Sequence, residues 1–89
     1  MIIKFFAFFR DYTGTKETSA AGCATLKELL DTLCARYGKR FTEKVFLGDK
    51  LGDDIIILVN GRHIEHLQGL DTGLTENDEI SIFPKVAGG

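Results

Sequence analysis

The sequence contains no tryptophan, one proline, one methionine and two cysteines in 89 residues, and these scarcities narrow what it can be. Cys23 and Cys34 form neither a CxxC motif nor a dense framework, so a disulfide scaffold is not expected. An excess of one charge is missing too. The formal net charge is −2 and the two signs are interspersed, which leaves no basic field for nucleic acid and no charged tail. No stretch approaches the ~20 apolar residues that cross a bilayer. Met1–Phe9 is apolar but is cut by Lys4, and it lacks the basic start and small-residue cleavage site of a secretory signal. The expectation is a cytoplasmic chain with reduced thiols and neither a membrane nor a nucleic-acid partner. Repeats, linkers and a GxxxxGK[ST] phosphate loop are also lacking.

What is present suffices for one small domain. The apolar fraction of 44% supports a single modest core and excludes a disordered composition. Ile2–Phe9, rich in β-branched and aromatic residues, predicts a strand ended by the turn formers of Asp11–Thr15. A weaker second strand is expected within Glu17–Ala21. Thr25 and Glu28 form a capping box, and Leu26, Leu29, Leu30, Leu33, Cys34 and Tyr37 recur on one helical face. The spacing predicts a helix over Leu26–Tyr37 with Gly38 as a left-handed cap. Lys39–Asp54 reads as loop with one helical turn. Ile55–Val59 reads as a strand buried on both faces or nearly so, and Asn60-Gly61 as a type I′ turn into a return strand Arg62–Glu65. Leu70–Asn77 is a loop, and Glu79–Pro84 the last strand. This order fits an α+β fold of the ubiquitin-like β-grasp type, a mixed sheet of about four to five strands with one main helix across it.

The last residues carry the chemistry. Pro84 lacks the N–H that would continue a ladder on its side. Ala87, Gly88 and Gly89 have little side chain and lose much entropy if ordered, so a domain over 1–86 with a flexible 87–89 tail is expected. Fully extended, the thread from Lys85 spans about 17 Å. A terminal carboxylate is a poor electrophile until a phosphoryl or adenylyl group activates it, and this chain has no loop with which to do that. The tail is therefore expected to be the substrate of an ATP-using partner.

Strand alternation adds a docking face. Lys4, Phe6, Phe8 and Arg10 fall on one side of the first strand, and Glu79, Ser81, Phe83 and Lys85 on one side of the last. In a β-grasp sheet these strands are neighbours, so Phe6 and Phe83 are expected to form an exposed aromatic patch near the tail. Other residues read as structural. Cys34 belongs to the core, and Cys23 has no nearby base. His63 and His66 would point to opposite faces of a strand and lack a third ligand, so no metal site is expected. No catalytic grouping is evident.

The segments Phe6-Ala7-Phe8-Phe9-Arg10-Asp11-Tyr12-Thr13-Gly14, Val59-Asn60-Gly61, Asn77-Asp78-Glu79-Ile80, Phe83-Pro84 and Val86-Ala87-Gly88-Gly89 resemble the MoaD/ThiS family of ubiquitin-like sulfur carriers. The likeness is greatest to its molybdopterin synthase small-subunit branch and spans nearly the whole chain. It implies that Gly89 is adenylated by an enzyme of the ubiquitin-activating type and converted to a thiocarboxylate, with Gly88 giving close access. It further implies sulfur delivery, with a molybdopterin synthase large subunit, to a pterin precursor. The partner consumes ATP, and this chain binds no cofactor. Partner contacts are assigned to Phe6, Phe8 and Arg10 near the start and to Phe83, Pro84, Val86 and Ala87 near the end. Asn77 stands where the family usually has glycine, and Lys85 where it has a second proline. The Lys85 change loosens the match to the molybdopterin branch. A carrier for thiazole, tRNA thiolation or cysteine synthesis, a modifier conjugated through Gly89, and a pure interaction module remain open.

Overall fold

The expected helix forms over its predicted span, α2 at Leu26–Tyr37. In the computed structural model, which describes residues 1–85, Thr25 Oγ1 accepts the Glu28 N–H at 3.2 Å. Glu28 Oε1 in turn accepts the Ala24 N–H at 3.1 Å, so both members of the capping box hold orphaned donors. Leu26, Leu29, Leu30 and Leu33 are fully buried on one face. Gly38 ends the helix at φ 91° and ψ −165°, a positive φ but outside the left-handed helical well expected for it. The reason follows at once in the chain: a short helix α3, Lys39–Val45, starts at the next residue and buries Phe41 and Val45. The segment read as loop is thus half helix, followed by a small hairpin of β3 (Phe46–Leu47) and β4 (Lys50–Leu51).

The main sheet has five strands in the order β2-β1-β7-β5-β6. These are β1 Ile2–Phe5, β2 Glu17–Ser19, β5 Ile55–Val59, β6 Arg62–His63 and β7 Glu79–Pro84. β1 and β7 pair in parallel, and the other neighbours are antiparallel. Ile3 and Phe5 of β1, Ile80 and Ile82 of β7, and Ile55, Ile57 and Val59 of β5 are buried among the core residues that also include the α2 leucines. Helices cover one face only, so β5 alternates: Ile56 and Leu58 stay half-buried on the other side. Burial of Ile55–Val59 is thus complete on one face and partial on the other, short of full two-sided burial.

The first strand also ends earlier than its composition predicts. After Phe5 the chain turns at Ala7, with φ 52° and ψ −132°, and enters a short helix α1, Phe8–Thr13. Phe9 N–H donates to Phe6 O at 3.2 Å, which closes a turn of type II′ geometry, normally a glycine position. Burial decides the contest with β-propensity: the helix puts Phe9 in the core, 6.1 Å from Phe41 between ring centroids. Ala7 carries the strain. Ala7→Gly is expected to stabilise the fold by about 1 kcal/mol, since relief of a strained positive φ outweighs the added unfolded-state entropy. Thermal unfolding should register a midpoint higher by about 4–8 °C. A lower midpoint would show that the turn is not strained.

Asn60 and Gly61 both have positive φ, 53° and 82°, as the type I′ reading requires. Asn60 also ties the hairpin to the start of β7. Its Nδ2 donates to Asp78 Oδ1 and its Oδ1 accepts the Glu79 N–H, both at 2.9 Å. The Asn60 amide and the Thr75 N–H hold the Asp78 carboxyl below the usual carboxylate range. The return strand is shorter than expected. β6 stops at His63, and Ile64–His66 is a 3-10 turn in which His63 Nδ1 accepts the Glu65 N–H at 3.0 Å. A second 3-10 turn occupies Gly69–Asp71 and overlaps the start of the Leu70–Asn77 segment read as loop.

Candidate functional site

The sheet face without a helix is built by the central pair of strands. Parallel pairing of β1 with β7 continues one step past β1, where Phe6 N–H donates to Ile82 O at 3.1 Å. That step brings Phe6 beside Phe83, and their rings stack with centroids 4.3 Å apart and planes 10° from parallel. Both are half-buried rather than fully exposed. Antiparallel pairing with β5 sets Ile56 opposite Phe83 and Leu58 opposite Ser81, and Ile2 at the far end is 45% exposed. The result is an apolar band with charge around it. Lys4 and Glu79 pair across the strands at 3.3 Å.

Arg10 reaches this face from α1 and not from a strand. Its Nε donates to Phe5 O at 2.9 Å and its guanidinium carbon lies 5.6 Å from the Phe6 ring centroid. Phe8 does not join it. α1 turns Phe8 toward Phe9 and Tyr12, and Lys44 Nζ lies 5.3 Å from its ring centroid. The alternation that grouped Phe8 with Phe6 fails because the chain is helical there. Pro84 lies opposite Ile55 at the end of β7, level with the part of the sheet that β1 no longer reaches. Lys85 is exposed and its N–H donates to Asp54 O at 2.7 Å, holding the chain beside the start of β5. Val86, Ala87, Gly88 and Gly89, together with the proposed boundary at residue 86, lie outside the described residues.

Ile2, Ile56 and Leu58 were missed as members of this face. A signal existed: a continuous apolar run in a sheet with one covering helix must show its alternate residues on the bare side.

The reactive side chains are quiet. Cys23 is buried with Sγ 3.7 Å from Thr32 Oγ1. Burial pushes the Cys34 thiol up, which a hydrogen bond with Thr42 only partly opposes, so it stays protonated and a weak nucleophile. The His63 and His66 rings do approach, with centroids 6.2 Å apart, because the 3-10 turn replaces the expected strand. Even so, no group of three potential metal ligands occurs among the described residues. Nor is any described helix long and apolar enough to cross a membrane. What the described residues gather on the helix-free face is an apolar band around the stacked Phe6 and Phe83 rings.

Comparison with known proteins places the chain. It matches the ThiS family over residues 3–89. It is 34% identical to small archaeal modifier protein 3 of Haloferax volcanii, over 98% of this chain and 96% of that protein. The solution structure of small archaeal modifier protein 1 from Methanosarcina acetivorans aligns with a TM-score of 0.84 and 36% identity, over 99% of this chain and 94% of that one. A chain of the Amycolatopsis orientalis BexX/CysO complex aligns with a TM-score of 0.86 and 28% identity, over 99% and 98% of the two chains.

Proposed function

We propose a function from the premise that this chain belongs to the ThiS family: the Gly89 carboxylate is a cargo-bearing group, and the protein carries sulfur on it as a thiocarboxylate. An activating enzyme of the ubiquitin-activating type joins a carboxylate oxygen to the α-phosphorus of ATP, and pyrophosphate leaves. Hydrosulfide then adds to the activated carbonyl, and AMP leaves with the oxygen, which gives the thiocarboxylate. Gly88 and Gly89 bring no side-chain bulk to either step. The acceptor is a pterin precursor of the molybdenum or tungsten cofactor, held by a molybdopterin synthase large subunit. The observation carrying this reading is the family match that runs through a Gly88-Gly89 ending. Phe6, Arg10, Phe83 and Pro84 add support, since they lie on or next to the strand that leads into residues 86–89. Phe8, on a neighbouring surface, and Val86 and Ala87 complete the proposed contacts.

Intact-mass measurement after incubation with the activating enzyme, ATP and a sulfur donor tests the carrier chemistry. Exchange of one oxygen for sulfur at Gly89 supports it. Transfer of that sulfur to the pterin precursor by the large subunit supports the acceptor, and failure with an active large subunit removes it in favour of thiazole, tRNA or cysteine synthesis. A second reading is conjugation of Gly89 to lysines of target proteins, favoured by the identity to the small archaeal modifier proteins. Lysine-linked adducts with no thiocarboxylate would establish it instead.

The docking face makes its own prediction. The double variant Phe6→Ala, Phe83→Ala is expected to weaken binding to the activating enzyme by about tenfold or more, the loss of one central aromatic contact. Its circular dichroism should remain that of the folded domain, since neither ring is in the core. Unchanged affinity in titration calorimetry would remove this face from the interface.

A further inference from the structure

β5 has a second edge that its partner strand covers only in part. Across the β5–β7 ladder, Lys85 N–H donates to Asp54 O and Asn60 N–H to Glu79 O. Even-numbered residues therefore turn their peptide groups to β7, and Ile55 and Ile57 turn theirs the other way. On that side β6 pairs with Leu58 and Val59 alone, because the chain leaves the sheet at the Ile64–His66 turn. Ahead of Leu58, this edge has no ladder partner among the described residues. Edges of this kind are normally blunted by proline, lysine or a covering loop. Here the run is Ile55-Ile56-Ile57, and what lies alongside is an open cleft.

The cleft has a volume of about 450 Å³. Leu51 and Asp53 line it before β5, Ile64 and Glu65 after β6, and Lys85 also lines it. We propose that this cleft receives an extended segment of a protein partner, which adds to β5 as a sixth strand opposite Ile55 and Ile57. Main-chain hydrogen bonds hold it, with an apolar side chain between Leu51 and Ile64 and a basic one passing Glu65. Charge selects the basic residue. The lining has two carboxylates against one lysine, and no cation of the described residues lies within 4.0 Å of Asp53 or Glu65. Shape selects a single strand over a second copy of this domain. The segments before β5 and after β6 flank the edge, and a two-fold pairing of β5 edges would bring like carboxylates together. The cleft shares Ile56 with the Phe6–Phe83 face and Lys85 with the approach to the tail, but no step of the tail chemistry enters the proposal, which its own exchange measurement tests.

The probe is an end-blocked peptide of alternating valine and lysine, with alternating valine and glutamate as its counterpart. Amide hydrogen exchange of the intact chain, read by NMR, reports on Ile55 and Ile57. The valine–lysine peptide is expected to slow exchange at both by about tenfold or more, and the glutamate peptide to do so much less. Ile55→Pro, which deletes an outward N–H and no bond to β7, is expected to abolish the protection. Glu65→Lys is expected to reverse the preference between the two peptides, and as an exposed change it keeps the test valid if the proline variant misfolds. Unchanged exchange at Ile55 and Ile57 with either peptide would overturn the proposal. So would protection that rises with protein concentration alone, which would assign the edge to a second copy.

Discussion

Removal of Gly89 is expected to abolish both the acyl adenylate and the thiocarboxylate while leaving the far-UV spectrum of the domain intact. The deletion leaves a carboxylate, but withdraws it by about 3.3–3.6 Å. In-line attack needs reacting atoms about 3–3.5 Å apart, so a displacement of one residue takes the carboxylate out of reach of the activated phosphate. The β7 ladder closes at Pro84, five residues before the deletion, so secondary structure should not change. ATP–pyrophosphate exchange and intact mass, taken on the same sample, decide the matter. Full exchange by the shortened chain would mean that the activating enzyme does not measure the tail, and the carrier reading would lose its chemical basis.

The second large effect concerns stability, and it separates two neighbouring phenylalanines. Phe5 is fully buried and meets Tyr37 and Phe41 edge-on, with centroids 5.6 Å and 5.9 Å away. Phe5→Ala is expected to cost about 3–5 kcal/mol, from lost transfer energy and the cavity left in a packed aromatic cluster. Domains of this size are stable by only about 5–15 kcal/mol, so the variant should be close to unfolding. Phe6, one residue on, points to the other face, and Phe6→Ala should lower the urea midpoint far less. Urea titrations of the two single variants, with equal slopes, give the comparison. Equal losses would contradict the assignment of faces.

That alternation was legible from the residues, as was α2, because a capping box and a leucine stripe are local signals that tertiary context did not oppose. The Asn60-Gly61 hairpin was legible for the same reason. The first strand was not. Phe6–Phe9 have high β-propensity, and the turn that ends the strand rests on Ala7, a residue with no turn signature. Only the burial of Phe9 against Phe41, a contact distant in sequence, explains the helix there. α3 left a faint signal, Phe41 and Val45 at a spacing of four, within a stretch too short and charged to stand out. Of the candidate site, the Phe6–Phe83 neighbourhood followed from alternation plus strand order. Alternation sets Arg10 on the face of Phe6 only if the strand runs on, whereas the helix delivers it there by another route. The same alternation groups Phe8 with Phe6, and the helix turns it toward Phe9 and Tyr12 instead.

The parallel pairing of Ile2–Phe5 with Glu79–Pro84 also governs how the molecule comes into being. Of the described strands, the first is completed only by the last, so the β1–β7 contact is one of high sequence separation. The sheet cannot close until β7 has emerged from the ribosome, and the long loop that this contact closes slows folding. A nascent or prematurely stopped chain exposes Ile3, Phe5 and the α2 leucines, which marks it for chaperones and proteases. No intermediate can display the stacked rings of Phe6 and Phe83, since one ring comes from each end. The Phe6–Phe83 face therefore exists only once β7 has been made and paired.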